Sequence, residues 1–361
     1  MLLAQAAVAA DPAGSGPEPA LAHSEPSLPT HTIYRPANLT GRYPVVLWGN
    51  GACVNSNFHY REFLAEIASQ GFIVLAIGPY RDTAPPRQQR SENPAEWPPF
   101  ETRHTQMLDA LDWITVESRR RESVFYDHVA VEKVAAMGHS CGGLQTVKVS
   151  TDPRISTAVV LNSGMLTDQD QYMIRHGLQR SILTQMHAPI AYFIGGEKDI
   201  AFANAEADWK ELQALRIPAI NANMDVGHGA TYEMPNGGPF TSGPLAWLKW
   251  QLKDDAAART MFVGDRCGFC GGGGFDHPDQ VRPGRRARFG GLAGRHCPGW
   301  RAGLGGHRCS VGLAGLDSHR AARPGGPRQR RGARCRGGVV HPRCGGRRHP
   351  RRPDPLGCRH R

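Results

Sequence analysis

The chain has 361 residues, 40% of them hydrophobic and 21% charged, with a formal net charge of +11. That length suits one large α/β domain or two ordinary ones, and the apolar content is enough for a sizeable core. No run of about 18 apolar residues is present to span a membrane, and the charge is no guide to a nucleic-acid partner for the whole chain. Residues 266–361 hold 22 Arg and four Asp, net +18, which leaves −7 on residues 1–265.

Met1–Asp11 is Ala-rich and ends in small residues, so it reads as the end of a secretory signal peptide without its basic start. That makes secretion or periplasmic export the expectation. Residues 12–29 are rich in Pro, Gly, Ser and Ala and complete a leader, 1–29, expected to be extended. His31–Pro36 alternates and predicts a first strand. Tyr43–Trp48 and Phe72–Ile77 are continuously apolar, as in strands covered by helices on both faces. Between them, Phe58–Gln70 has helical spacing. Gly78–Phe100 is a Pro-rich loop containing Tyr80 and Trp97, long enough to be functional.

Thr102–Arg119 predicts a helix, Val131–Met137 a strand, and a further helix starts at Cys141. Ile155–Leu161 is the next strand, followed by a polar, helix-prone excursion over Met165–His187. Pro189–Ile194 is a strand, and Asn204 is placed to cap a helix over Ala205–Leu215. Pro218–Met224 is the last strand and Pro244–Leu252 a closing helix. This alternation predicts an α/β fold with a doubly wound, mostly parallel sheet flanked by helices, in a body spanning residues 30–265.

The remainder, 266–361, contains no Lys, Ile, Asn, Tyr, Met, Glu or Thr. The missing types are largely those with A- or T-rich codons, so the tail reads as a wrong frame of a GC-rich gene, and it is expected to be disordered. Two functional alternatives exist. Arg-rich tracts bind phosphate backbones non-specifically, which gives a nucleic-acid-binding arm. Cys267 and Cys270 could begin a zinc site, but no second pair follows at suitable spacing, so no metal is expected.

The chemistry centres on Gly138-His139-Ser140-Cys141-Gly142, lying between the apolar strand and the helix. A Gly-x-Ser-x-Gly turn in that context is a nucleophile elbow, with Ser140 Oγ held out on a strained turn that the flanking glycines permit. In doubly wound hydrolases an acid and then a His follow the Ser along the chain, each on a loop after a strand. His228, between Gly227 and Gly229, fits the base. Asp199 fits the acid, with Glu197, Asp168 and Asp170 as competitors and Asp225 too near His228 along the chain. The oxyanion hole requires backbone N–H donors. Cys141 supplies one, and Asn50 or Gly51, in the loop after the first buried strand, the other. Tyr80, Trp97 and Tyr232 are candidate walls of the substrate site. In such a fold the loop bearing Cys53 touches the elbow bearing Cys141, which gives either a disulfide between them or two buried thiols.

Taken together, Trp48-Gly49-Asn50-Gly51, Gly138–Gly143, Gly196–Ala201 and Gly227–Tyr232 resemble the α/β-hydrolase superfamily, on the side of the dienelactone hydrolases, chlorophyllases and polyester hydrolases. The resemblance covers about residues 30–265. It implies Ser140, Asp199 and His228 as a triad and no cofactor. True dienelactone hydrolases are similar in fold but use Cys where this chain has Ser140. The implied activity is hydrolysis of small or polymeric carboxylic esters through an acyl-enzyme, with amide, thioester or lactone cleavage as the alternative on the same scaffold.

Overall fold

The computed structural model describes residues 11–85, 101–215, 217–264 and 267–269. Eight strands form one sheet: β1 (Ala20–Ser24), β2 (His31–Pro36), β3 (Tyr43–Gly49), β4 (Ile73–Ile77), β5 (Val129–His139), β6 (Thr157–Leu161), β7 (Ile190–Ile194) and β8 (Ala219–Asn223). Their order is β1-β2-β4-β3-β5-β6-β7-β8. β2 runs antiparallel to both β1 and β4, and every pair from β4 across to β8 is parallel.

The helices are α1 (Arg61–Ser69), α2 (Thr105–Glu117), α3 (Cys141–Val149), α4 (Gln171–His176), α5 (Phe202–Leu212), α6 (Ser242–Lys253) and α7 (Ala256–Thr260). Side chains alternate across a strand, so each inner strand feeds both faces of the sheet. Val46 and Trp48 of β3 join Phe63 and Ile67 of α1 and Trp247 and Leu252 of α6 on one face. Val45 and Leu47 meet Met107, Leu111 and Ile114 of α2 on the other. Leu144 and Val147 of α3 and Ala205 and Leu212 of α5 pack over Val160, Ile190 and Tyr192. Trp48 and Trp247 are wholly buried, and removing side chains of that size from water stabilises the fold by about 2–3 kcal/mol each. Among the described residues no helix is long and apolar enough to cross a membrane.

Three expectations about boundaries are corrected. The leader is not merely extended. Ala20–Ser24 pairs with β2, and Ser15 N–H and Oγ–H donate to the two oxygens of Glu66 in α1 at 2.6 and 3.0 Å. Ala-Leu-Ala-His-Ser has little strand propensity, and pairing with β2 supplies what propensity does not. The body also continues past residue 265. Phe269 is buried, its ring packs 5.2 Å from Phe262, and its N–H donates to Met261 O at 3.0 Å. Finally, α5 begins at Phe202 rather than Ala205. Asp199, not Asn204, takes the early amides: Ala201 N–H donates to its Oδ1 and Phe202 N–H to its carbonyl, both at 2.9 Å. Residues 270–361, and with them most of the basic tail, lie outside the described residues, as do residues 1–10.

Candidate active site

The loops after β3, β5, β6, β7 and β8 all leave the sheet at the carboxyl ends of parallel strands, where open α/β sheets place their ligand crevice. Ser140 occupies the turn from β5 into α3, with φ 52° and ψ −117°, a conformation that is strained for a residue with a side chain. Two glycines make the turn feasible. A Cβ on Gly138 would lie 2.3 Å from Gly142 O, and one on Gly142 would lie 2.1 Å from Gly49 O. The second contact matters most, because it lets the start of α3 rest directly on the end of β3.

His228 is brought over Ser140 by its loop. Val226 and Gly227 N–H donate to Gly195 O at 3.1 and 2.8 Å, which ties the loop after β8 to the loop after β7. His228 Nε2 then lies 3.0 Å from Ser140 Oγ, and its Nδ1 2.7 Å from Asp199 Oδ1. A carboxylate only accepts, so Nδ1 carries the imidazole proton and Nε2 presents a lone pair to the Ser140 hydroxyl. The arrangement can take a proton from Ser140 Oγ and hold the resulting imidazolium.

Asp199 is buried, which by itself would raise its pKa. Hydrogen bonds outweigh the burial: with donors from His228, Ala201 N–H, Gly195 N–H and Asn162 Nδ2, the carboxyl is held at about 2. The competing acids are engaged elsewhere. Asp168 accepts from Arg180 N–H, Asp170 caps α4 through Tyr172 N–H, Asp225 pairs with Lys198, and Glu197 is exposed.

Asn162, His139 and Tyr60 are parts of the site that sequence reasoning passed over or set aside. Asn162 follows β6 and donates to Asp199 Oδ2 at 2.7 Å, while its Oδ1 accepts from Tyr232 Oη at 2.5 Å. Its place at the end of the apolar run Thr157–Leu161 was the available signal. His139 is buried, and its pKa is lowered to about 3 by that burial and by the neighbouring His228. Its Nε2 lies 2.9 Å from His228 O, and a carbonyl can only accept, so Nε2 bears the proton. Nδ1 therefore accepts from Tyr60 O–H at 2.8 Å, and Tyr60 Oη accepts from Gly51 N–H at 3.0 Å. One continuous chain of hydrogen bonds joins the loop after β3, the elbow and the His228 loop. His139→Phe strands both the Tyr60 hydroxyl and the His228 carbonyl. It is expected to lower stability by about 2 kcal/mol and kcat/KM by about tenfold, measured by thermal melting and ester turnover.

That chain occupies one of the two expected oxyanion donors. Gly51 N–H is already taken by Tyr60. Asn50 is wholly buried, its side chain fixed by bonds from Trp48 Nε1 and to the carbonyls of Val54 and Ile77. In the same loop Ala52 is partly exposed, has φ 55° and gives its N–H to no acceptor among the described residues. Cys141, the first residue of α3, has an amide that no helical carbonyl can reach.

Cys53 and Cys141 are joined by a disulfide, with Cα atoms 5.3 Å apart and a sequence separation of 88. It pins the Ala52–Cys53 turn, where both residues have positive φ, to the start of α3. Mutating both cysteines to Ala is expected to remove about 3 kcal/mol of stability, read as a fall of roughly 6–12 °C in Tm. His176 Nε2 approaches both sulfurs, and Cys53, Cys141 and His176 are the one grouping of potential metal ligands among the described residues.

A cavity of about 440 Å³ opens beside Ser140 and His228. Its apolar lining is Leu144, Leu166, Tyr172, Ile200 and Ala201, with Asn204 at the polar side. Two of the expected walls, Tyr80 and Tyr232, are not among these residues. Tyr232 is buried in the core, edge-on to Tyr60, Phe63 and Phe240, and supports Asn162 from below. Tyr80 donates to Asp11 Oδ2 at 2.7 Å and does not line the cavity. Trp97 lies outside the described residues.

Residues 24–169 match the family described as PETase, PET hydrolase-like. Together with the sheet order above, that match identifies the fold. It is the α/β-hydrolase fold. No curated protein matches the chain. The family match takes in the β3 loop and the nucleophile elbow. Asp199 and His228 fall beyond it and stand on their geometry alone.

Proposed function

We propose that this α/β-hydrolase cleaves carboxylic esters through an acyl-enzyme on Ser140. The observation that carries the reading is the relay Asp199–His228–Ser140, at 2.7 and 3.0 Å, opening into the cavity. His228 Nε2 takes the Ser140 proton as Oγ attacks the ester carbonyl. The tetrahedral oxyanion is received by Cys141 N–H and by Ala52 N–H. His228 then gives its proton to the departing alcohol. In the second half it activates water, which releases the acid and restores Ser140. Asp199, ionised at any pH above about 2, keeps His228 in the required tautomer.

The cavity volume and its lining of Leu166, Tyr172 and Ile200 favour an aryl or medium acyl group, and the PET hydrolase-like family match favours esters of aromatic diacids. The disulfide suits an oxidising compartment and supports export of the chain.

The test is a panel of p-nitrophenyl acyl esters, a terephthalate diester, and matched amide, thioester and lactone substrates. Ester turnover dominating the panel supports the reading, and turnover confined to another acyl bond overturns it. Within the panel, Tyr172→Ala is expected to raise KM for aryl esters about fivefold with kcat little changed, since an aromatic contact contributes about 1 kcal/mol.

A further inference from the structure

The Cys53–Cys141 bridge has a buried imidazole against it. His176, the last residue of α4, places Nε2 3.3 Å from Cys141 Sγ and 3.4 Å from Cys53 Sγ. Gln145 of α3, wholly buried, has Nε2 3.2 Å from Cys53 Sγ and 3.2 Å from Thr102 Oγ1. Its Oε1 has no hydrogen-bond partner. Two sulfurs and an imidazole nitrogen thus converge in one buried cluster, with the Gln145 amide against Cys53 Sγ, outside the ester-cleaving relay.

The distances fit a metal. A tetrahedral zinc with Zn–S of about 2.3 Å and Zn–N of about 2.0 Å needs N···S separations of about 3.5 Å and an S···S separation of about 3.8 Å. The first is already met by His176. The second needs the sulfurs to part by about 2 Å once the bond between them is gone, within reach of side-chain rotation.

We propose that the reduced form of this protein holds a thiophilic divalent cation on Cys53 Sγ, Cys141 Sγ and His176 Nε2, with the Gln145 amide oxygen turned in as the fourth ligand. The S–S bond becomes two thiols by taking two electrons and two protons from a dithiol, or two electrons from a phosphine and two protons from water. The dithiol leaves as its own disulfide, or the phosphine as its oxide with oxygen from water. On binding, both thiols release their protons to solvent and the cation is held by two thiolates. The cation then replaces the disulfide as the tie between the Ala52–Cys53 turn and α3. The proposal does not rest on the ester-hydrolase reading.

The test uses the full chain, reduced with a phosphine and freed of it under anaerobic conditions, and titrated with Co2+ as the probe. Cysteines elsewhere in the chain set a background, so the readout is the difference between variants. The wild-type chain is expected to bind one Co2+ more than the Cys53→Ser/Cys141→Ser double variant, with thiolate-to-cobalt charge-transfer and tetrahedral visible bands. His176→Ala, which leaves both cysteines in place, is expected to weaken that binding at least about tenfold and to alter the visible bands. Equal stoichiometry and spectra in the wild-type chain and the double variant would overturn the proposal. So would an unchanged titration in His176→Ala, or loss of the folded far-UV signal on reduction alone.

Discussion

Replacing Ser140 by Ala is expected to lower kcat/KM for ester hydrolysis by about ten-thousand-fold or more while leaving the melting temperature within about 2 °C of the parent. The chemical loss follows from the geometry. Oγ is the atom His228 Nε2 faces at 3.0 Å, and no other hydroxyl among the described residues is paired with that nitrogen. The small change in stability follows from the same turn. The fold depends on the backbone of residue 140, whose N–H donates to Leu161 O at 2.9 Å and whose carbonyl accepts from Ser163 Oγ at 2.7 Å. Alanine keeps both bonds and adds no atom. Ester turnover and thermal melting on the same preparation separate the two effects.

Asp199→Asn is expected to lower kcat by about a thousand- to ten-thousand-fold and, unlike the Ser140 variant, to destabilise the protein. Each carboxylate oxygen faces only donors: Oδ1 meets His228 Nδ1 and Ala201 N–H, and Oδ2 meets Gly195 N–H and Asn162 Nδ2. An amide NH2 in either orientation points at two N–H groups. It must displace them or force His228 into the other tautomer, in which Nε2 bears the proton and cannot serve as a base. The stability loss has a defined pH window. The folded carboxyl titrates near 2, below its ordinary value of 3.8, so its ionised form contributes about 2 kcal/mol at neutral pH. That contribution is complete above about pH 4 and disappears as pH falls towards 2. Denaturant melts of both proteins should therefore differ most above pH 5 and converge in acid.

Residues at the ends of strongly apolar strands were legible in the sequence. Ser140 and Asp199 each follow such a run, His228 follows the more polar β8 and is marked instead by its flanking glycines, and parallel pairing delivers the ends of β5, β7 and β8 to one edge. That Cys53 and Cys141 meet was legible for the same reason, since they follow neighbouring strands, while the choice between a disulfide and two thiols was not. Residues whose roles are set by partners far away in sequence were not. Gly51 reads as a free oxyanion amide until Tyr60, nine positions later, is seen to occupy it. Tyr232 reads as an aromatic wall near the His, yet the chain turns at Ala230, with φ 43°, and the ring enters the core. Ala20–Ser24 carries no strand pattern because its pairing depends on β2. The substrate-facing residues Leu166 and Tyr172 come from an excursion with little periodicity, whose placement depends on anchors such as Arg180, which bonds Met165 O and pairs with buried Asp208.

Every catalytic role proposed above depends on Ser140 Oγ being the atom that is acylated. Treating the protein with a serine-directed phosphonate and mapping the adduct by peptide mass spectrometry tests that directly. The account predicts a single adduct on Ser140, ester turnover lost in proportion to labelling, and neither labelling nor turnover in Ser140→Ala. Turnover that survives full labelling of Ser140, or loss of turnover with the adduct on a different residue, would contradict it.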